Sequence, residues 1–583
     1  MRRLVAFLLL AAAPAAAAHA EVGAVGGLTA AQRSVPAQLD PAARAAYAQA
    51  FRDLDAGRLS AAEAVAAARP DGLLTPVLEA QLMLKRRPSA ATLGDWVRLN
   101  GDLPQSERLA AMARAGGIED LPELPVARPM RVVSFTAPMS PKSAKADAAA
   151  AALAQALRPL IETDRFDEAA SVWRDRQAEV AEPARSEWAQ RIAWSYFTAS
   201  DDQGAMRMGA LASEGFGEWA ALGAWTAGLA AWRADDCLRA SKHFDTATAK
   251  ATTADLRAGA AYWASRSYMA CGRPQDVSSR LKTAAQHSDS FYGLLAAQAL
   301  GRTGLHDWSE PDFIQADWNH LAKLPGARRA AALVEIGQLG LADRELKHLA
   351  ATGDPVNYEA LLRLAARLNL PATQYWLAHR PPAGATPPTA ARFPAPAWRP
   401  YRGWRVDQAL VFAHALQESN FVTDATSRVG ARGVMQLMPG TARDVCREIG
   451  EAHDEARLAD PEFNIELGQS YLEGLRDSTW TQGLLPKVIA AYNAGPGSVK
   501  NWNTSLNDKG DPLLFIESIP FAETRHYVEV VLRNYWMYQQ RKGETPASLQ
   551  AMAQGLWPRF PGLPGATAVK MVPTVQQTAA RAD

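Results

Sequence analysis

Cysteine is nearly absent: the 583 residues contain three, at positions 237, 271 and 446. Three are too few for a disulfide scaffold, and their spacing fits no metal site. In an oxidising compartment Cys237 and Cys271 could pair, whereas Cys446 reads as a small buried hydrophobe. No Cys precedes Cys237, so a lipid-modified N-terminal cysteine is excluded. An excess of charge is missing too, with 62 Lys and Arg against 61 Asp and Glu and a net charge of +1. Nucleic-acid binding, which rests on strong charge asymmetry, is not expected. Past the N-terminus no run reaches about 18 uninterrupted apolar residues, so no integral membrane segment is expected there. No metal-ligand set, phosphate loop or nucleophilic triad stands out, and no metal or cofactor is expected.

What is present starts with an export signal. Met1-Arg2-Arg3 is basic, Leu4 to about Ala17 is apolar, and Ala18-His19-Ala20 is a small-residue cleavage site before Glu21. Residues 1–20 therefore read as a secretory signal peptide, which in a double-membrane bacterium implies the periplasm. The remainder is too long for one core, and about two to four domains are expected. Residues 21–380 are rich in Ala, Leu and Arg, the best helix formers, so this stretch is expected to be mostly helix. Asp201-Asp202 and Asp235-Asp236 lie about 34 residues apart, and Trp225 and Trp263 about 38. Such a period is typical of helix-turn-helix repeats stacked into a superhelix. Trp173, Trp188, Trp194, Trp219, Trp225, Trp232 and Trp263 tempt a sugar-stacking reading, but at helical spacing among Ala and Leu they read as core ridges. Pro-rich breaks interrupt the pattern near 121–145, read as a loop, and at 381–397, read as a linker. A second domain is placed at 398–543, and 544–583 is expected to be a mostly mobile tail in which Leu556, Trp557 and Phe560 could dock.

Residues 409 to 443 concentrate the chemistry. Val406 to Leu416 is apolar or small at most positions, with no Gly or Pro, and Asp407 can cap its start, so a buried helix is expected. Gln417-Glu418-Ser419-Asn420 then falls at the negative end of that helix. Dipole and partial burial both disfavour a carboxylate at Glu418 and raise its pKa, as a general acid requires. Beyond it, Gly430, Gly433 and Gly440 punctuate Val434-Met435-Gln436-Leu437-Met438-Pro439, where backbone can approach a ligand. Gln436 among apolar residues is either buried with partners or presented to a ligand.

Five blocks in order carry a resemblance. They are Glu418-Ser419; Gly433-Val-Met-Gln-Leu-Met-Pro-Gly-Thr-Ala442; Asp460-Pro461 with Asn464-Ile465, Leu467-Gly468 and Tyr471-Leu472; Ala491-Tyr-Asn-Ala-Gly495; and Ile519-Pro-Phe-Ala-Glu-Thr-Arg525 with Tyr527-Val528. Together they resemble the catalytic domain of soluble lytic transglycosylases, lysozyme-like enzymes that cut peptidoglycan glycan strands. The resemblance implies a mainly α protein, an α-superhelical arm followed by a lysozyme-like α+β domain. It implies cleavage of the bond between N-acetylmuramic acid and N-acetylglucosamine. Glu418 would act as the single acid and base, and the muramic 6-hydroxyl would close to a 1,6-anhydro end. By motif, Ser427, Gln436, Met438, Tyr492 and Glu523 would contact substrate, while Asn493 and Ser419 read as structural. Glu523 could instead pair with Arg525, and Asp424, the nearest other carboxylate to Glu418 in sequence, reads as a solvated turn residue. Leu416 and Val422-Thr423 depart from the family pattern and put subsite detail in doubt. Glycan strands are the implied partner, with other cell-wall enzymes as candidates. A hydrolytic muramidase of the same fold and a non-catalytic wall-binding scaffold are the alternatives.

Overall fold

The structure, a computed structural model, describes residues 35–133, 141–144 and 147–571. The signal-peptide reading lies outside the described residues. Ala-rich composition gives what propensity dictates: 28 α-helices among the described residues and one two-stranded ribbon. Local side chains set many of the helix starts. Asp40, Ser89, Asp147, Asp201, Asp236 and Ser290 each accept a backbone N–H in the first turn of the helix that follows.

In the middle of the arm, helices Glu182–Thr198, Asp202–Ala212, Gly217–Arg233, Cys237–Lys250 and Ala254–Ala270 pack each on the next, as stacked hairpins do. Small residues allow the close approach. A Cβ on Gly209 would overlap the Gly223 carbonyl oxygen and press on Ala227 of the facing helix. Of the seven tryptophans, Trp173, Trp188, Trp219, Trp225 and Trp263 are buried, and Trp194 and Trp232 pack against the same core. Trp225 lies edge-on to Phe244, Trp263 and Tyr292, the geometry of a core ridge. Cys237 and Cys271 are joined by a disulfide, with Cα atoms 5.6 Å apart, which ties the start of one hairpin to its end. Cys446 is free and buried.

Two large hydrophobic cores divide the described residues, and a small third cluster lies within 437–467. One runs from residues 150–297 of the arm straight into residues 406–560. The other joins the first helical block, 35–113, to 313–391, so the start of the described chain returns to the end of the arm. Arg44 pairs with Glu335 at 2.8 Å and Arg329 with Asp102 at 2.9 Å across that junction.

Two expectations are corrected. The Pro-rich segment 381–397 is a packed strap: Ala390, Ala391 and Phe393 are buried, Arg392 pairs with Asp289 at 2.9 Å, and Tyr538 donates to the Pro394 carbonyl at 2.9 Å. The tail is also docked as far as residue 571. Helix Ala547–Ala553 buries Leu549 and Met552, and Trp557 and Phe560 are 1% and 2% exposed. Trp557 donates to the Gly510 carbonyl at 2.8 Å, and Trp557–Pro558 pairs antiparallel with Ala568–Val569. A short helix with two large aromatics buries enough apolar surface to hold a segment whose sequence has little periodicity. Within 398–543 the β content is limited to isolated bridges such as Thr426 with Arg432 and Arg432 with Leu437, and the ribbon belongs to the docked tail.

Candidate active site

Helix Gln408–Ser419 crosses the second domain with Ala409 through Leu416 buried. Asp407 caps its start by accepting from Ala409 N at 2.9 Å and is held by Tyr535 at 2.8 Å. Its far end is sharply turned. Asn420 and Phe421 both take left-handed backbone, φ +50° and +63°. For a bulky residue such as Phe421 this costs about 1–3 kcal/mol, and burial of its ring against Trp398 and Phe412 offsets the strain. The Ser419 hydroxyl, shared between the Ala415 and Val434 carbonyls at 3.1 and 2.8 Å, fastens this end to the glycine-punctuated strip.

That strip is itself over-determined. Gly433 has φ +78°, and a Cβ there would overlap the Asn464 amide and the Leu458 carbonyl oxygen. Asn464, fully buried, accepts from Met435 N at 2.8 Å and donates to the Arg432 carbonyl at 3.2 Å. Gln436 is held left-handed at φ +47°, with its amide donating to the Gly433 and Ala425 carbonyls at 2.9 and 3.2 Å. Ser427 accepts from Ala431 N at 2.9 Å and so shapes the turn before the strip. Met438 is 43% exposed at the start of the next helix.

Glu418 is half-buried where these elements meet helices Leu485–Ala494 and Ala522–Arg541. The Tyr527 hydroxyl donates to its Oε1 at 2.6 Å. His414, one turn earlier on the same helix and fully buried, places Nδ1 2.8 Å from that hydroxyl. Tyr492 donates to the Met435 carbonyl at 2.8 Å, and its ring lies 4.6 Å from the His414 ring and 5.4 Å from Tyr471. Burial pushes the Glu418 carboxyl up to about 7; the Tyr527 bond opposes this and the charge of Glu523 adds to it. Burial likewise pushes His414 down to about 3. Tyr492 and Tyr527 are both raised, by burial first and then by the charge of Glu418. A half-buried carboxyl that keeps its proton near neutrality can donate that proton, then persist as a carboxylate on the Tyr527 hydroxyl.

Of the residues singled out in the sequence, Glu418, Tyr492 and Glu523 come together electrostatically. Gln436 is turned back on its own backbone, and Ser427 is engaged in its turn. Glu523 is exposed, while Arg525 donates to the Ile519 carbonyl at 2.7 Å and lies over the Trp194 ring. Asp424 pairs with Arg344 of the arm at 2.9 Å, on the surface. Sequence reading gave no role to Tyr527, His414 or Asn464. Helical spacing was the available signal, since His414 precedes Glu418 by four residues and Tyr527 follows Glu523 by four.

A long helical arm joined to a small helical domain, with one protonatable carboxyl at a helix end, defines a superhelical protein with a lysozyme-like domain. Comparison with known proteins agrees. Residues 399–515 match the family model described as the transglycosylase SLT domain. The soluble lytic murein transglycosylase of Escherichia coli K12 is 38% identical over 155 residues, 26% of this chain and 24% of that protein. Its counterpart in Salmonella typhimurium LT2 is 38% identical over 160 residues, 27% of this chain and 24% of that protein. The matched stretch thus spans about a quarter of the length of these curated relatives. Among solved structures, the 70 kDa soluble lytic transglycosylase from Escherichia coli superposes with TM-score 0.57 at 20% identity, covering 89% of this chain and 99% of that one. An inactive mutant of lytic transglycosylase Slt from Pseudomonas aeruginosa gives 0.52 at 21% identity, over 85% of this chain and 81% of that one. These two likenesses show the fold. Residues 399–515 are thus similar to the transglycosylase SLT domain, and the fold of the whole chain is that of the soluble lytic transglycosylases. Tyr527 and Glu523 lie outside the residues that the family model matches, and the bond from Tyr527 to Glu418 is seen in the structure.

Proposed function

We propose that the chain is a peptidoglycan lytic transglycosylase that acts in the periplasm. It would cleave the β-1,4 bond between N-acetylmuramic acid and N-acetylglucosamine with Glu418 as the one acid and base. The observation that carries this reading is the Glu418 carboxyl pushed up to about 7 while bonded to Tyr527. Glu418 protonates the glycosidic oxygen, and the sugar's 2-acetamido group stabilises the charge at the anomeric carbon. The Glu418 carboxylate then takes the proton of the muramic 6-hydroxyl, whose oxygen closes onto that carbon. The leaving sugar keeps the first proton and Glu418 ends protonated, so no water is consumed. Tyr492 and Met438 line the cleft, Ser427 and Gln436 hold its floor in shape, and the charge of the exposed Glu523 adds to the burial that keeps Glu418 protonated. This use of murein strands is supported by the names of the relatives and by a solved complex of the 70 kDa soluble lytic transglycosylase with bulgecin A.

The test is mass spectrometry of muropeptides released from purified peptidoglycan by the chain and by Glu418→Gln. Products one water lighter than hydrolysed muropeptides, absent with the variant, are expected. Full-mass reducing ends that vanish in the variant would make this a muramidase with Glu523 as second carboxylate. A wall bound but uncut by both proteins would make it a scaffold.

A further inference from the structure

The Tyr527 hydroxyl sits between two acceptors and has one proton to give. Glu418 Oε1 is 2.6 Å away on one side and His414 Nδ1 is 2.8 Å away on the other. A neutral imidazole carries one N–H, on Nδ1 or on Nε2. His414 Nε2 is buried and has no hydrogen-bond partner among the described residues. If the proton were on Nε2, a donor would be stranded in apolar surroundings. The Tyr527 proton would then also be drawn to Nδ1, away from the carboxylate. With the proton on Nδ1, both bonds are satisfied in one direction, from His414 to Tyr527 to Glu418, and only a lone pair is stranded. An orphaned donor is the rarer and costlier defect.

We propose that His414, held as the Nδ1–H tautomer, is a positioning residue that commits the Tyr527 hydroxyl to donate to Glu418 Oε1. The acidic proton of Glu418 is thereby left on Oε2, the oxygen that makes no hydrogen bond to the described residues. The inference rests on the acid role of Glu418 argued above. An oxygen already accepting a short hydrogen bond is the poorer seat for the proton, so the acid presents it on the other oxygen, away from Tyr527. Without the imidazole donor, Tyr527 could accept from a protonated Glu418 instead, and the acid would spend its proton on the enzyme. The groups around the relay are few. Tyr492 and Tyr527 flank the His414 ring, and Tyr527, Tyr492 and Glu523 face Glu418, with Tyr471 behind the two phenols. Burial holds His414 far below neutrality, so the doubly protonated ring does not arise in the working range.

The experiment reads the tautomer directly. In the full chain labelled with ¹⁵N-histidine, the His414 signals are identified by their absence in His414→Asn. Nδ1 is expected in the protonated range and Nε2 in the unprotonated range, unchanged from pH 5 to 8. An Nε2–H tautomer, or a titration within that window, overturns the proposal whether or not the chain cuts peptidoglycan. Kinetics supply the second arm. His414→Leu removes the donor and is expected to lower kcat about tenfold. It should also move the basic limb of the pH–rate profile upward by about one unit, as the carboxylate loses a polarised donor. His414→Asn, whose amide can reoccupy the Nδ1 position, is expected to restore the limb. A limb that stays in place in a folded His414→Leu overturns the assignment, because mere packing loss lowers stability without moving it. If the unsubstituted chain makes no anhydro products while the Nδ1–H tautomer is seen, the acid role fails and the tautomer assignment stands.

Discussion

At Glu418 the free energy of an acid proton is set by position more than by residue type. Its carboxyl rises from an ordinary 4.5 to about 7, with burial as the main cause. The folded state therefore binds more protons than the unfolded chain between pH 4.5 and 7, and stability falls as pH rises across that window. Full conversion would give about 3 kcal/mol; on a cleft wall open to water about 2 kcal/mol is the better figure. Glu418→Gln should accordingly raise the thermal midpoint at pH 8, with the gain fading by pH 4.5; thermal scans across pH check this, and an unchanged gain at low pH would refute it. With Glu418 in the proposed acid role, activity should fall as pH rises through about 7, where the carboxyl loses its proton. The kcat/KM profile on peptidoglycan reads that limb. Glu418 was legible in the sequence because a helix end beside a glycine-punctuated strip is a local pattern. Tyr527 and His414 were not given roles, since the Tyr527 bond to Glu418 spans 109 residues and appears only when two helices pack.

Elements position that carboxyl through backbone rather than through side chains aimed at it. The strip from Gly433 to Met438 is fixed by the Asn464 amide, by left-handed Gln436 and by Ser419 at the helix end. Gly433→Ala would place a methyl against Asn464 and the Leu458 carbonyl, in a backbone region that L-residues disfavour. A loss of about 2–4 kcal/mol is expected. Denaturant unfolding would show it, together with activity lost beyond what stability explains, since the Met435 carbonyl and Tyr492 move with the strip. An Ala variant of near-native stability would mean the strip can shift cheaply. The helical character of the arm and the cap positions followed from composition and local spacing. Docking of Trp557 and Phe560 was open in the sequence, but not its extent over 547–571, because that segment is placed by the surfaces it meets rather than by any period of its own.

At the scale of the whole molecule, the middle of the arm and the second domain share one hydrophobic core and are tied by polar contacts. Arg266 meets Asp511 at 2.6 Å, Arg344 meets Asp424, and Tyr292 of the arm bonds Glu517 beside the helix that carries Tyr527. The Cys237–Cys271 bridge closes a loop of sequence separation 34, which corresponds to about 3–4 kcal/mol of restricted unfolded chain. Replacing both residues with Ser should lower the unfolding midpoint of the arm, and reductant should do the same to the unsubstituted protein but not to the double variant. Equal sensitivity of both would place the reductant's effect elsewhere.

Alone, the sequence determined the helical class of the arm, its hairpin period and the core role of its tryptophans, and it offered Glu418 as the candidate acid. Each of these is written in spacings of a few residues or in composition, where propensity and burial act locally. Tertiary structure alone decided the docking of the tail, the strap at 381–397 and the chain from His414 through Tyr527 to Glu418. Those depend on which surfaces meet across hundreds of residues, and a hydrogen bond's direction follows from what lies, or does not lie, at the far nitrogen of a buried ring.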